Sequence, residues 1–224
     1  MLTAAEIMPA FRSGARILFQ GDSITDGNRG RSTDPNHILG HGYAFLIAAK
    51  FGASLPERRL TFLNRGISGN RVSDLAARRQ SDILDLQPDL LSILIGVNDA
   101  DRGVPLEEFE QTYDDLLAGI VAARPAVRIV LCEPFTLPVG KRIAQWDTWS
   151  ADMKKRQQIV AQLAAKYHAA FVRFQKVFDD AVKRAPAEYW IWDGIHPTYA
   201  GHQLMADEWE RTVQQAWLES EAIK

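Results

Sequence analysis

The chain has 224 residues, of which 46% are hydrophobic and 24% are charged, so its length suits one sizeable hydrophobic core and is short for two. We therefore expect residues 1–224 to form a single domain. The formal net charge of −2 leaves no basic surface for a phosphate backbone, which argues against nucleic acid as a partner.

Residues 1–16 contain Glu6 and Arg12 between short apolar stretches. They carry neither the apolar region of a secretory signal nor a membrane span, so we expect a cytoplasmic location and no membrane partner. The single cysteine, Cys132, lies in an apolar run and is expected to be a small buried side chain.

Apolar runs of strand length recur along the chain, each rich in Ile, Leu, Val or Phe and without alternation of polar and apolar residues. Continuous runs of this kind are typical of strands that are buried on both faces of a sheet. The predicted strands are residues 16–19, 60–63, 90–95, 128–132 and 170–174.

Segments of helical periodicity separate these runs. An apolar stripe follows Pro105 and predicts a helix to about residue 121, and two more helices are predicted at 148–167 and 198–218. Shorter helical patterns follow His41 and Asn70. The alternation of strands and helices predicts an α/β fold, a three-layer α/β/α sandwich around a parallel sheet.

Two long segments lack periodicity, residues 27–42 and 133–147. In open α/β sheets ligands bind beyond the carboxyl ends of the strands, and both segments are expected to begin there. We predict that they form the walls of the binding pocket.

A serine follows the first predicted strand in the motif Gly21-Asp22-Ser23. A serine held on a tight turn beyond a buried strand can act as a nucleophile if a base lies within hydrogen-bond reach. By itself this motif is more typical of a surface turn. The second motif that favours a nucleophile is Asp193-Gly194-Ile195-His196-Pro197, which supplies a base and a carboxylate.

His196 is the best candidate for the base among the five histidines. Asp193 precedes it by three residues on a predicted turn, so the carboxylate can curl back to one imidazole nitrogen and fix the tautomer. A capping aspartate beside an exposed histidine is the alternative interpretation.

Two further segments can supply donors for an oxyanion, because acyl transfer places negative charge on the carbonyl oxygen. Gly66 follows the second predicted strand and Asn98 the third. The predicted donors are the backbone N–H groups of Ser23 and Gly66 and the side chain of Asn98. Taken singly, Gly66 is better explained as a turn glycine and Asn98 as a loop cap. Asp22 and Asp99 are expected to hold their loops in shape, and Asp22 is also a candidate for substrate contact.

These elements, from Gly21 to Pro197, resemble the signature of the SGNH/GDSL hydrolase superfamily in their order and approximate spacing. The resemblance implies a flavodoxin-like fold with a five-stranded parallel sheet of order 2-1-3-4-5. It implies Ser23 as nucleophile, His196 as base and Asp193 as its orienting partner. It also implies an oxyanion hole formed by Ser23, Gly66 and Asn98, and neither a metal nor an organic cofactor.

Within the superfamily the sequence is most similar to intracellular bacterial acetylxylan esterases. The similarity rests on the segments 21–26, 39–43 and 65–70 and on Trp192-Asp193. Those enzymes remove acetyl groups from xylo-oligosaccharides and often form oligomers. The resemblance therefore implies an acetylated carbohydrate as substrate and allows a homo-oligomer. The last predicted helix carries Trp209 and Trp217, which we expect to face the core, with an oligomer interface as the alternative.

Tryptophans near the predicted site loops can serve as platforms for sugar rings, although packing in the core is an equally good explanation. The candidates for substrate binding are Trp146, Trp190 and Trp192. The prediction is a serine esterase that hydrolyses O-acetyl esters of carbohydrates through an acetyl-enzyme. The alternatives are a lysophospholipase or acyl-CoA thioesterase of the same superfamily, and a non-catalytic carbohydrate-binding protein.

Overall fold

A computed structural model describes residues 11–221 of the chain, with side chains described to residue 216. Within that range five strands form one parallel sheet of order β2-β1-β3-β4-β5. They are β1 (Arg16–Gly21), β2 (Thr61–Asn64), β3 (Leu90–Leu94), β4 (Arg128–Cys132) and β5 (Ala170–Val172). The predicted fold and strand order are confirmed.

Helices connect the strands and cover both faces of the sheet. In chain order the described α-helices are α1 (Ser23–Asp26), α2 (Tyr43–Ser54), α3 (Val72–Ala77), α4 (Val97–Asp101), α5 (Leu106–Ala123), α6 (Trp146–Lys166), α7 (Phe174–Ala181), α8 (Ala187–Trp190) and α9 (Tyr199–Glu221). Short 3₁₀ segments lie at Pro56–Arg58 and Gly140–Gln145, and a π-helical turn lies at Gln80–Leu84. No helix within residues 11–221 is long and apolar enough to cross a membrane.

The two faces of the sheet carry separate apolar clusters, because successive side chains of a strand point to opposite sides. Phe19 of β1 packs with Tyr43 of α2 and Trp209 of α9, whereas the adjacent Leu18 belongs to the cluster that includes Phe109 of α5. All of these side chains are fully buried. This double burial explains why the strands appear as continuous apolar runs.

Two expectations about the core are met and one falls outside the described side chains. Cys132 is fully buried beside Ser92, and burial raises the pKa of its thiol to about 12. Trp209 is also fully buried, and its indole N–H donates to Ser92 Oγ at 3.0 Å. The side chain of Trp217 lies outside the described part of the chain.

The strand order places two of the predicted site segments at a change of direction in the sheet. The chain leaves β1 for β2 on one side, and β3 then pairs with β1 on the other side. A crevice forms at such a switch point beyond the carboxyl ends of the strands. Ser23 directly follows β1 and Asn98 follows β3, so both lie at this crevice.

Candidate active site

Ser23 is the first residue of α1, and Asp22 provides the helix cap. The Asp22 Oδ1 atom accepts a hydrogen bond from the Ile24 N–H at 3.0 Å, which fixes the turn between β1 and α1. Ser23 Oγ lies 2.7 Å from Nε2 of His196. The structure therefore brings together two side chains that are 173 positions apart in the sequence.

His196 is held by a turn that Asp193 organises. Asp193 Oδ2 lies 2.6 Å from His196 Nδ1, while its Oδ1 accepts the backbone N–H groups of Ile195 at 3.0 Å and His196 at 2.8 Å. Gly194 between them has a φ of +100°, a conformation that favours glycine. An antiparallel bridge between Ile191 and Pro197 closes the turn.

The electrostatics of this pair suit proton transfer. The hydrogen bond that His196 donates to Asp193 raises the pKa of His196, and partial burial opposes this shift. Burial alone would raise the pKa of Asp193, but the hydrogen bonds from His196 and from Ile195 lower it to about 2. The carboxylate thus stays charged and can stabilise a protonated imidazole.

The predicted oxyanion donors are differently placed. Asn98 donates one side-chain N–H to the carbonyl of Asn70 at 3.0 Å, which leaves the second N–H of its amide for a ligand. The Gly66 N–H donates to Asn64 Oδ1 at 2.9 Å, so it is already engaged within the protein. From the sequence, this N–H is predicted to donate to the oxyanion. For the Gly66 N–H to donate to an oxyanion, its hydrogen bond to Asn64 would have to break.

Gly66 also has a steric reason to be a glycine. A Cβ atom at this position would lie 2.4 Å from the backbone nitrogen of Asp26. The loop after β2 therefore approaches α1 closely, and only a residue without a side chain fits there.

Asp22 and Asp99 are buried carboxyl groups, and they are the sequence neighbours of Ser23 and Asn98. Burial raises the pKa of Asp22 to about 7 and that of Asp99 to about 6. Asp99 accepts the N–H of Val72, and Asp22 caps α1, so both stabilise loops as expected. Asp22 is fully buried, which argues against the predicted contact with substrate.

The three candidate tryptophans have different environments. Trp192 is 64% exposed, and its ring stacks near-parallel with the His196 imidazole at 6.0 Å between centroids. Trp190 is buried and donates its indole N–H to the carbonyl of Ala185, so packing explains it and a platform role does not. Trp146 is half-buried and packs against the core cluster. Trp192 alone of the three presents a largely exposed ring beside the histidine.

A buried arginine next to the His196 turn was missed by the sequence analysis. The Arg142 guanidinium lies 3.7 Å over the ring of Trp149, and its Nη1 forms an ion pair of 2.7 Å with Asp101. A Cβ atom on Gly194 would lie 2.6 Å from Arg142 Cγ, so the arginine packs directly against the turn. Its position in an aperiodic segment gave no signal beyond the prediction that this segment forms a pocket wall.

Thr136 ties the same turn to the helical layer and was likewise not singled out. Its hydroxyl donates to the Gly194 carbonyl at 2.9 Å and accepts the indole N–H of Trp149 at 2.8 Å. Thr136 and both of its partners, Gly194 and Trp149, are buried. Across residues 11–221 no group of three or more His, Cys, Asp or Glu side chains is arranged to hold a metal ion.

The sequence matches the GDSL-like Lipase/Acylhydrolase family over residues 19–204. The chain belongs to this family. It is a carboxylic ester hydrolase, and the resemblance drawn from its motifs is confirmed.

Relatives of this GDSL hydrolase include an acetylxylan esterase from Geobacillus stearothermophilus. The two sequences are 33% identical over 221 residues, which cover 93% of this chain and 98% of the relative. A crystal structure of a protein from Parabacteroides merdae, described as a GDSL-like lipase, has a TM-score of 0.86 at 39% identity and covers 92% of this chain and 97% of its own. The crystal structure of Axe2, an acetylxylan esterase from Geobacillus stearothermophilus, has a TM-score of 0.79 at 33% identity, with coverages of 91% and 96%.

Proposed function

We propose that the protein is a serine esterase that removes acetyl groups from carbohydrates, xylo-oligosaccharides among them. The observation that carries the proposal is the pair of short contacts at His196, 2.7 Å from Nε2 to Ser23 Oγ and 2.6 Å from Nδ1 to Asp193 Oδ2. A nucleophile, a base and an orienting carboxylate connected in this way are the groups that the serine triad uses for acyl transfer.

In the proposed first step Ser23 Oγ attacks the acetyl carbonyl carbon while its proton moves to His196 Nε2. The charged Asp193 stabilises the imidazolium that forms. Negative charge on the carbonyl oxygen is stabilised by the Ser23 N–H and by the second amide N–H of Asn98. His196 then returns the proton to the departing sugar oxygen, which leaves an acetyl group on Ser23.

In the second step water attacks the acetyl-enzyme. His196 takes a proton from the water and later gives it to Ser23 Oγ, so acetate leaves and the enzyme is regenerated. No other reactant is required.

Two features favour a carbohydrate over a long-chain acyl ester. The exposed ring of Trp192 stands beside His196, where it can stack against a sugar ring. Similarity to an acetylxylan esterase over most of the chain supports the same substrate class. A lysophospholipase or thioesterase needs an apolar channel for its acyl chain, and a non-catalytic carbohydrate-binding protein has no need of the Ser23–His196 contact.

The test is release of acetate from acetylated xylo-oligosaccharides, acetylated monosaccharides and aryl acetate, with aryl octanoate as the long-chain comparison. Ser23→Ala should lower turnover on every active substrate by roughly three orders of magnitude or more, because it removes the nucleophile. Near-normal turnover by that variant would reject the nucleophile. A preference for octanoate over acetate would favour the long-chain alternatives.

Further proposals rest on the resemblance to intracellular acetylxylan esterases and on the length of the chain. We propose that the chain forms a single domain, is cytoplasmic and associates with copies of itself. Light scattering coupled to size-exclusion chromatography measures the molar mass in solution, and a mass of one chain at all concentrations would reject self-association.

A further inference from the structure

A cavity of about 660 Å³ opens between the segment that follows Asn98 and the beginning of α6. Small-molecule sites in proteins commonly have volumes of 300–1,000 Å³, roughly, so this cavity is large enough for sugar rings. Its polar wall consists of Asp101, Arg142, Gln145, Thr148, Asp152 and Arg156. None of these residues has a part in the mechanism proposed above.

The cavity shares two walls with the candidate active site. Asp101 is the last residue of α4, the helix that carries Asn98. Arg142 packs against Gly194 in the turn that holds His196. A molecule in the cavity therefore contacts residues that adjoin both the oxyanion segment and the turn of the base.

The charges in the cavity cancel. Arg142 pairs with Asp101 at 2.7 Å, and Arg156 pairs with Asp152 at 2.8 Å. Two positive and two negative side chains give no net charge, which favours a neutral ligand over a carboxylate or a phosphate. The side chains of Arg142 and Arg156 are only 6% and 1% exposed, whereas those of Asp101 and Asp152 are 41% and 33% exposed.

Both arginines retain donors that the described part of the protein does not use. Nε and Nη2 of Arg142 and Nη1 of Arg156 are buried without a hydrogen-bond partner. These three nitrogen atoms have no surface open to the cavity, so the half-exposed carboxylates and the exposed Gln145 and Thr148 are the groups that can bond to a ligand. An acyl chain is unfavourable in this cavity, because it would remove water from the two half-exposed carboxylates and offer no hydrogen bond in return.

A sugar ring meets all of these requirements. Its hydroxyls can donate to the half-exposed carboxylates of Asp101 and Asp152, and they can accept from the side-chain amide of the exposed Gln145. We propose that this cavity is a saccharide subsite, which binds a neutral sugar unit adjoining the one whose acetyl ester is cleaved. The proposal rests on the proposed carbohydrate substrate and adds where the rest of the chain of sugars is held.

The test variant introduces a large side chain at the rim of the cavity. Thr148 is exposed in the first turn of α6 and lines the cavity, so Thr148→Trp places an indole there without disturbing the core. The matched control is Gln158→Trp, an exposed position on the same helix outside the cavity. The measured quantity is the ratio of kcat/KM on acetylated xylotriose to kcat/KM on aryl acetate. Thr148→Trp should lower this ratio at least about tenfold, mainly through KM, and the control should leave it unchanged.

An unchanged ratio in Thr148→Trp would overturn the subsite while the deacetylation of carbohydrates stands. Wild-type protein that hydrolyses aryl acetate and no acetylated sugar would instead reject the proposed function, and the subsite with it. If Thr148→Trp does not fold, Gln145→Trp fills the same cavity from another exposed position and is judged by the same ratio.

Discussion

The carboxylate of Asp193 serves both the ring and the backbone of the same histidine. One oxygen contacts His196 Nδ1, and the other accepts the N–H groups of Ile195 and His196. The imidazole therefore cannot rotate away from Ser23 without breaking the contact to a carboxylate that the turn itself holds in place.

Asp193→Asn should reduce kcat/KM on aryl acetate by about three to four orders of magnitude, because the amide favours the wrong histidine tautomer. The pH profile gives a second readout. Asp193 raises the pKa of His196, so activity in the wild type should rise with pH through a midpoint above the ordinary value of 6.5, and the variant should have a lower midpoint. An unshifted midpoint would show that Asp193 does not set the protonation of His196.

Asp22 should make stability depend on pH. Its pKa is 3.8 in the unfolded chain and about 7 in the fold, where burial raises it. Folding thus takes up a proton between these values, so this group's contribution to stability is present below about pH 4 and is lost as the pH rises to 7. Asp22→Asn should reduce this pH-dependent loss of unfolding free energy by about 2–4 kcal/mol, since each pKa unit corresponds to about 1.4 kcal/mol.

Urea unfolding of the wild type and of Asp22→Asn at pH 5 and pH 8 measures the effect. The difference in unfolding free energy between the two proteins should change with pH in favour of the variant at pH 8. A difference that is the same at both pH values would contradict the assigned pKa.

Sequence motifs predict which residues form the site better than they predict the hydrogen bonds that those residues make. The spacing of Asp193 and His196 predicts that the carboxylate can reach the ring, and Oδ2 lies 2.6 Å from Nδ1 in the structure. The hydrogen bond from the Gly66 N–H forms because the Asn64 side chain, two residues earlier, folds back onto the backbone. The burial of Asp22 depends on the whole crevice above it, and no local pattern reveals either feature.

At the scale of elements, Thr136 connects the segment after β4 with the turn of His196 and with α6. Thr136→Val keeps the shape but removes both hydrogen bonds, to Gly194 and from Trp149. We expect a loss of about 1–3 kcal/mol of stability and a tenfold to hundredfold loss, roughly, in kcat on aryl acetate, because the base shifts.

Thr136→Ser should restore most of the activity, since it keeps the hydroxyl. Thr212→Val is the control, at a threonine on α9 whose hydroxyl contacts only Glu208 on its own helix. Equal activity in Thr136→Val and the wild type would mean that Thr136 stabilises the fold without positioning the histidine.

The boundaries of helices and strands are predictable where the periodic pattern runs over many residues. They are less predictable where a hydrogen bond from a distant side chain decides where one element ends and the next begins. The predicted strand at 170–174 ends at Val172, and Phe174 begins α7 instead. Glu133 accepts the N–H of Gln175 at 2.9 Å and so satisfies a donor in the first turn of that helix. The apolar sequence continues through Phe174 because both the strand and the helix face the same core.

At the scale of the whole molecule, Trp209 joins the last helix to the middle of the sheet through its bond to Ser92 on β3. Trp209→Phe should cost about 2–3 kcal/mol, from the lost hydrogen bond and the space left in a fully buried site. Chemical denaturation measures the loss. Activity per folded molecule should stay at the wild-type level, and a large drop in kcat would show that α9 also controls the site.

The strand order followed from a resemblance, because parallel strands of similar composition do not reveal their own neighbours. One wall of the cavity beside Arg142 lies in the segment 133–147, which the sequence predicts to be a pocket wall, but the residues opposite it could not be predicted. The cavity forms where α4, the segment after β4 and α6 meet. Arg142 is far in the sequence from its partner Asp101, and helical periodicity does not describe the packing that encloses Arg156.

The contact between Ser23 and His196 joins early and late parts of the polypeptide. A ribosome must therefore have synthesised nearly all of the described chain before the base exists, and the closing turn must dock before the hydroxyl is activated. Partly made or prematurely terminated products would be catalytically silent, so hydrolysis serves as a direct assay for completed folding.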